Sequence, residues 1–135
     1  MILVDTSAWV EFLRATGSPG HIRLRELLAS GEALATTEPV VMEVLAGARD
    51  DAHMHRLRDV VLSQTLLPLD GLADFEDAAA LYRRCRSAGA TVRSLIDCVI
   101  ATVAMKADAE LLHTDRDYDT IAKHAPLRIA ELAST

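Results

Sequence analysis

The segment HTDRDYD, His113 to Asp119, sets three aspartates at alternate positions directly behind the apolar pair Leu111-Leu112. Further acids stand in comparable places: Asp5 closes the run Ile2-Leu3-Val4, Glu43 is a lone charge within VVMEVLAG, and Asp97 follows Leu95-Ile96. Taken singly, each has an ordinary structural explanation. Asp5, Thr6 or Ser7 suits the cap of a first helix. Glu43 suits a solvent-facing position, and Ser94 to Asp97 has the form of a capping box before an apolar run. Aspartates after a strand are common in turns, because the side chain bonds the nearby backbone. Gathered by folding, the same groups would do different chemistry. Carboxylates within a few ångströms of one another stay ionised only if a cation sits among them, and an all-oxygen set favours Mg2+ or Mn2+.

What could gather them is the order of the elements. Short apolar runs alternate with helical patterns. Ile2-Leu3-Val4 reads as a strand, and Ala8-Trp9-Val10 with Phe12-Leu13 as a helix ending before Gly17. A helix through Ile22, Leu24, Leu27 and Leu28 stops at Gly31, and Ala33-Leu34-Ala35 is a second strand. Thr37 is expected to cap a short helix with Pro39 in its first turn and Gly47 just past its end. His53 to Val61 reads as helical, and TLLPL as strand-like, with Pro68 at an edge or end. Phe75, Ala78, Ala79, Tyr82 and Cys85 recur at helical spacing and predict the buried side of a helix whose other side carries Arg83 and Arg84. Ser94 begins a further helix, and LLH and LRI are the last short strands. Strands alternating with helices predict an α/β fold with a mainly parallel sheet and helices on both faces. In such sheets ligands bind beyond the carboxyl ends of the strands, where the strand order reverses. If the first strand and LLH are neighbours there, Asp5 and Asp115 face one crevice although 110 positions separate them.

The chain of 135 residues, half of them hydrophobic, is expected to form a single domain, residues 1–135. No apolar run approaches the roughly 18 residues of a membrane-spanning helix. The N-terminus has neither the basic region nor the cleavage site of a secretion signal, so the cytoplasm is the expected location. Cys85 and Cys98 lack metal-type spacing and read as buried small hydrophobes. The net charge of -6 argues against binding nucleic acid through bulk positive potential. Its distribution is less uniform. No acid lies between Asp77 and Asp97, where Arg83, Arg84, Arg86 and Arg93 cluster, and the chain has twelve arginines against two lysines. Arginine's planar fork suits phosphate; a solvated helix face would show the same pattern. The five histidines, His21, His53, His55, His113 and His124, show no metal-ligand spacing, and His113 reads as a packed residue at a strand end.

The joint pattern is more informative than any one residue. ILVDTS at the start, a glutamate in a short apolar helix near position forty, SLIDCVIA two thirds along and HTDRDY near the end resemble the PIN-domain family over essentially the whole chain. Within it the chain looks most like the VapC toxins of bacterial toxin–antitoxin pairs. The resemblance implies a three-layer α/β/α sandwich and a Mg2+- or Mn2+-dependent ribonuclease. By motif, the family's acidic cluster falls on Asp5, Glu43, Asp97 and Asp115, with Asp117 as a further acid. Asp5, Asp97, Asp115 and Asp117 are then the expected approach to the metal, and Glu43 an outer or general-base carboxylate. Thr6 or Ser7 matches the small hydroxyl after the first aspartate. With Arg83, Arg84, Arg86, Arg93 and Arg116, these hydroxyls are expected to meet the substrate, structured cellular RNA such as transfer RNA. Tyr118 stands where phenylalanine is more usual, a departure expected to leave the aromatic packing intact; Asp119 matches no catalytic position. The resemblance further implies a VapB-type antitoxin, in a hetero-oligomer or beside a homodimer. One face of the helix carrying Trp9, Val10, Phe12 and Leu13 is core, and the other an antitoxin groove or dimer contact. Two rivals remain. A phosphohydrolase of small esters, of the haloacid-dehalogenase type, needs an aspartate two residues after Asp5, where this chain has Ser7. A nonenzymatic module on the same fold would tolerate loss of the motif acids, all of which are present.

Overall fold

Three short apolar runs become strands of a parallel sheet. The computed structural model describes residues 1–132. In chain order the elements are β1 (Ile2–Val4), α1 (Thr6–Leu13), α2 (Pro19–Ser30), β2 (Leu34–Thr36), α3 (Glu38–Ala46), α4 (Asp51–Leu62), β3 (Thr65–Leu66), α5 (Gly71–Ser87), α6 (Leu95–Lys106), β4 (Glu110–Leu112) and α7 (Arg116–Ala122). The sheet order is β3-β2-β1-β4, with each neighbouring pair parallel. β1 and β2 are buried along their length, as strands covered on both faces must be. Among the described residues, seven helices flank the sheet, giving the α/β sandwich expected from the alternation of elements.

The order of strands fixes the place of the crevice. Successive crossovers carry the chain outward from β1 to β2 to β3. The crossover through α5 and α6 then returns it to β4, on the other side of β1. The reversal therefore lies between β1 and β4, whose register pairs Val4 with Leu112. Asp5 and Asp115 follow these strands, as the alternation of elements leads one to expect.

α6 runs through the core. Residues Asp97 to Ala104 are all buried, which requires a helix apolar on every side. Its opposite end is tied to α5 by Lys106, which reaches Asp74 at 2.5 Å and Asp77 at 2.7 Å. Cys85 and Cys98 are free thiols in the core, and burial pushes the Cys98 thiol up to about 12. Among the described residues no helix is long and apolar enough to cross a membrane.

Several boundaries differ from those the sequence predicts. β2 begins one residue later. TLLPL supplies two paired residues on an exposed edge, where little burial rewards a longer strand. LRI contributes only a single parallel bridge, Leu111 to Ile129. The buried stripe of α5 is Asp74, Ala78, Leu81 and Cys85; Phe75 and Ala79 are exposed. Thr37 and Ser94 precede their helices in extended conformation but give no side-chain cap hydrogen bond. Gly31 closes α2 at φ 73, the left-handed turn that glycine adopts at least cost. Gly47 ends α3 at φ −83 and does not use that freedom.

Candidate active site

Backbone hydrogen bonds first bring the two strand ends together. The Asp5 N–H donates to the Leu112 carbonyl at 2.9 Å, so the chain leaves β1 beside the end of β4. Asp5 caps α1: its Oδ2 accepts from the Ser7 N–H at 2.9 Å and from the Ser7 hydroxyl at 2.6 Å. That hydroxyl also accepts from the Thr114 N–H at 2.9 Å, lacing α1 to the turn after β4. Asp115 caps α7 by accepting from the Asp117 N–H at 2.9 Å. The capping and clustering explanations of these acids are therefore both realised. A cap residue at a strand-to-helix turn aims its carboxylate at the crevice beyond the sheet.

Asp97 arrives from the first turn of α6. Its carboxylate does not reach back to close a capping box; Oδ1 lies 3.2 Å from the Tyr118 hydroxyl, and Oδ2 is buried without a hydrogen-bond partner. Burial, together with the charges of Asp5 and Asp115, pushes the Asp97 carboxyl up to about 7. Asp97, Asp115 and Asp117 each offer a ligand oxygen, and these atoms all lie within 4.8 Å of one another. An oxygen-only set, one member of which has a buried orphan oxygen, fits a hard divalent cation.

Arg93 supplies the local positive charge. Its Nε donates to Asp117 Oδ1 at 3.1 Å, a terminal nitrogen donates to Asp115 Oδ1 at 3.2 Å, and its backbone N–H donates to Asp117 Oδ2 at 3.2 Å. Asp117 thus orients the loop before α6 with both oxygens. Arg93 remains half exposed, with a side-chain accessibility of 54%.

Glu43 projects from α3 and accepts from the Thr6 hydroxyl at 2.8 Å. The residue as a whole is exposed, yet its carboxyl loses part of its solvation. That loss and the charge of Asp5 raise it above the ordinary range against the pull of Thr6. Glu43 also lines a cavity of about 250 Å³ with Val10, Leu13, Val44, Arg49 and Leu57. The face of α1 is divided accordingly: Trp9 is in the core, and Val10 and Leu13 line this groove. Of the predicted arginines, Arg93 joins the acids. Arg116 is exposed at the start of α7, lining a second cavity with Thr114 and Asp115. Arg83, Arg84 and Arg86 are exposed on α5, where Arg86 stacks 5.8 Å from the Tyr82 ring centre. Thr6 and Ser7 spend their hydroxyls on Glu43 and Asp5. His113 is buried as expected, its Nδ1 accepting from the Asp115 N–H at 3.0 Å and its ring 5.0 Å from that of Tyr118.

The residue that sequence reasoning missed is Tyr118. It is more than a packing aromatic: its hydroxyl donates to Asp5 Oδ1 at 2.6 Å in the buried floor of the site. Burial, with the charges of Asp5 and Asp97, raises the phenol far above its usual range, so it remains a donor. The available signal was the tyrosine of HTDRDY, because a phenol oxygen that enters a core needs a polar partner there.

Compared with known proteins, residues 2–124 match the family described as PIN domain. The chain is 46% identical over 131 residues to the ribonuclease VapC11 of Mycobacterium tuberculosis, covering 96% of this chain and 98% of that one. Its backbone is similar to that of VapBC2 from Rickettsia felis, solved with a DNA fragment from its promoter (TM-score 0.73, 18% identity, 96% of this chain and 98% of that one). It is similar again to VapC20 of M. tuberculosis, described as a sarcin-ricin-loop-cleaving toxin (TM-score 0.71, 21% identity, 95% and 99%). At those identities the two structures speak to the fold alone.

Proposed function

The chain belongs to the PIN-domain family, and on that premise we propose that it is a Mg2+- or Mn2+-dependent endoribonuclease toxin of a type II toxin–antitoxin system. It acts as a single PIN domain on structured cellular RNA such as transfer RNA, in the cytoplasm, and a VapB-type antitoxin neutralises it. The observation that carries the chemistry is the convergence of Asp97, Asp115 and Asp117 on one point beside Asp5. The ribonuclease activity of the 46%-identical relative supports the substrate class.

Asp5, Asp97, Asp115 and Asp117 would hold the ion, the last three offering oxygens within 4.8 Å of one another. When bound, the ion supplies Lewis acidity toward the scissile phosphate and lowers the pKa of a nearby water. Glu43, held by Thr6 and raised in basicity, accepts the proton of the attacking water. The water oxygen bonds to phosphorus and the bond to the 3′ oxygen breaks. The products carry a 5′-phosphate and a 3′-hydroxyl, the latter protonated from solvent. The acidic crevice repels RNA, so Arg93 and Arg116 at its rim and Arg83, Arg84 and Arg86 farther along α5 bind the phosphates. The groove of Val10, Leu13, Val44 and Leu57 offers the antitoxin an apolar face that ends at Glu43.

Cleavage of transfer RNA by wild type and Asp97→Asn in Mg2+ tests the reading. Loss of an outer partner of a metal ligand alone costs about 10–100-fold, so removal of a ligand charge should lower the rate at least about a hundredfold. An unimpaired Asp97→Asn would transfer the case to a reading in which Asp97 holds no catalytic metal.

A further inference from the structure

The acid centre contains a neutral donor at its floor. Tyr118 is fully buried, its phenol has a single proton, and two carboxylate oxygens lie within reach, Asp5 Oδ1 at 2.6 Å and Asp97 Oδ1 at 3.2 Å. The shorter contact takes the proton. Asp5 is then bonded on both oxygens, by Tyr118 on Oδ1 and by two donors of Ser7 on Oδ2. Asp97 is in the opposite condition: Oδ1 faces the hydroxyl, while Oδ2 is buried and unpartnered, and Asp97 contributes an oxygen to the converging group.

From this division of oxygens we infer that Tyr118 is a positioning residue for the divalent cation. Its hydroxyl fixes the Asp5 carboxylate and the rotation of Asp97, so that Asp97 Oδ2 is left free for the ion. The inference rests on the metal-dependent reading above. The ring alone would fill the same space, because phenylalanine differs from tyrosine by the oxygen only. What phenylalanine cannot do is hold two like-charged carboxylates at a set angle.

The test is a calorimetric titration of the metal-free wild type and Tyr118→Phe with MgCl2 and MnCl2. The expected result is a dissociation constant about tenfold or more weaker in the variant. RNA turnover should fall in kcat at fixed metal, with KM for RNA unchanged. A lower melting temperature with the same metal affinity would reduce Tyr118 to packing and overturn the inference. If Tyr118→Phe does not fold, 3-fluorotyrosine supplies a second probe. The chain has two tyrosines, so labelling a Tyr82→Phe background places fluorine at Tyr118 alone. The stronger donor should shift the metal dissociation constant; no shift overturns the proposal. Failure of the wild type to bind either ion would instead remove the metal-dependent reading itself, a distinguishable outcome.

Discussion

Asp97 resists ionisation in the metal-free protein, because burial and the charges of Asp5 and Asp115 lift its carboxyl from 3.8 to about 7. The folded state therefore holds a proton there that the unfolded chain releases above its ordinary carboxylate range. Stability from this group is full below that range and is lost as pH rises through about 7. Asp74 acts in the opposite sense: the Asp70 N–H and Lys106 hold it below its usual value, so its contribution is present above the ordinary range and lost in acid. With chelator present, the melting temperature should pass through a maximum on the acidic side of neutrality. Asp97→Asn should flatten the alkaline limb and raise the melting temperature at pH 8. A melting profile that rises steadily toward pH 8 would contradict this assignment. At this scale the sequence marked Asp5, Asp97 and Asp115, which each stand just behind an apolar run, and the fold brings them to one crevice. It could not show that Tyr118 spends its hydroxyl on Asp5, because an aromatic at that spacing packs in the same way with or without an oxygen.

Elements place these residues, and their legibility followed burial. β1, β2 and β4 were readable because buried parallel strands are short uninterrupted apolar runs. β3 and the Ile129 bridge lie where pairing is brief and the apolar pattern no longer defines an extent. The buried face of α5 departs from its apolar periodicity for an electrostatic reason: Asp74 is inside, answered by Lys106 thirty-two positions away, while Phe75 faces solvent at 48%. A periodicity argument counts that aspartate as surface. The ion pair clamps the start of α5 to the end of α6, at the far end of the helix that carries Asp97. Lys106→Met should lower the urea midpoint of unfolding, by less than loss of a fully buried pair because the lysine is largely solvated. Cleavage by the folded fraction should be unchanged, since the clamp lies remote from the acids; a specific loss of activity would show that the two ends of α6 are coupled.

The whole molecule carries net charge -6 yet must hold an anion. Its solution is local: acids are concentrated in the crevice between β1 and β4, and arginines at the rim and along α5. The parallel sheet was legible from the alternation of elements, whereas the neighbourhood of β1 and β4 that makes the crevice entered only as a condition, which the strand order meets. The reach of the arginine strip was not legible, because helix-surface side chains carry no long-range pattern. If Arg83 and Arg84 bind phosphates, the double variant Arg83→Gln/Arg84→Gln should weaken RNA binding and flatten the plot of log affinity against log salt. The slope should fall by roughly 0.7 for each phosphate no longer neutralised; an unchanged slope would return both residues to the solvated surface. The central claim is that acids distant in sequence gather a dication for hydrolysis of RNA. Its most direct measurement is the chemistry of RNA ends after digestion by purified protein in Mg2+ and in EDTA. Cleavage in Mg2+ alone, leaving 5′-phosphate and 3′-hydroxyl ends, is the expected result. Cleavage that persists in EDTA, or ends bearing a 2′,3′-cyclic phosphate, would contradict it.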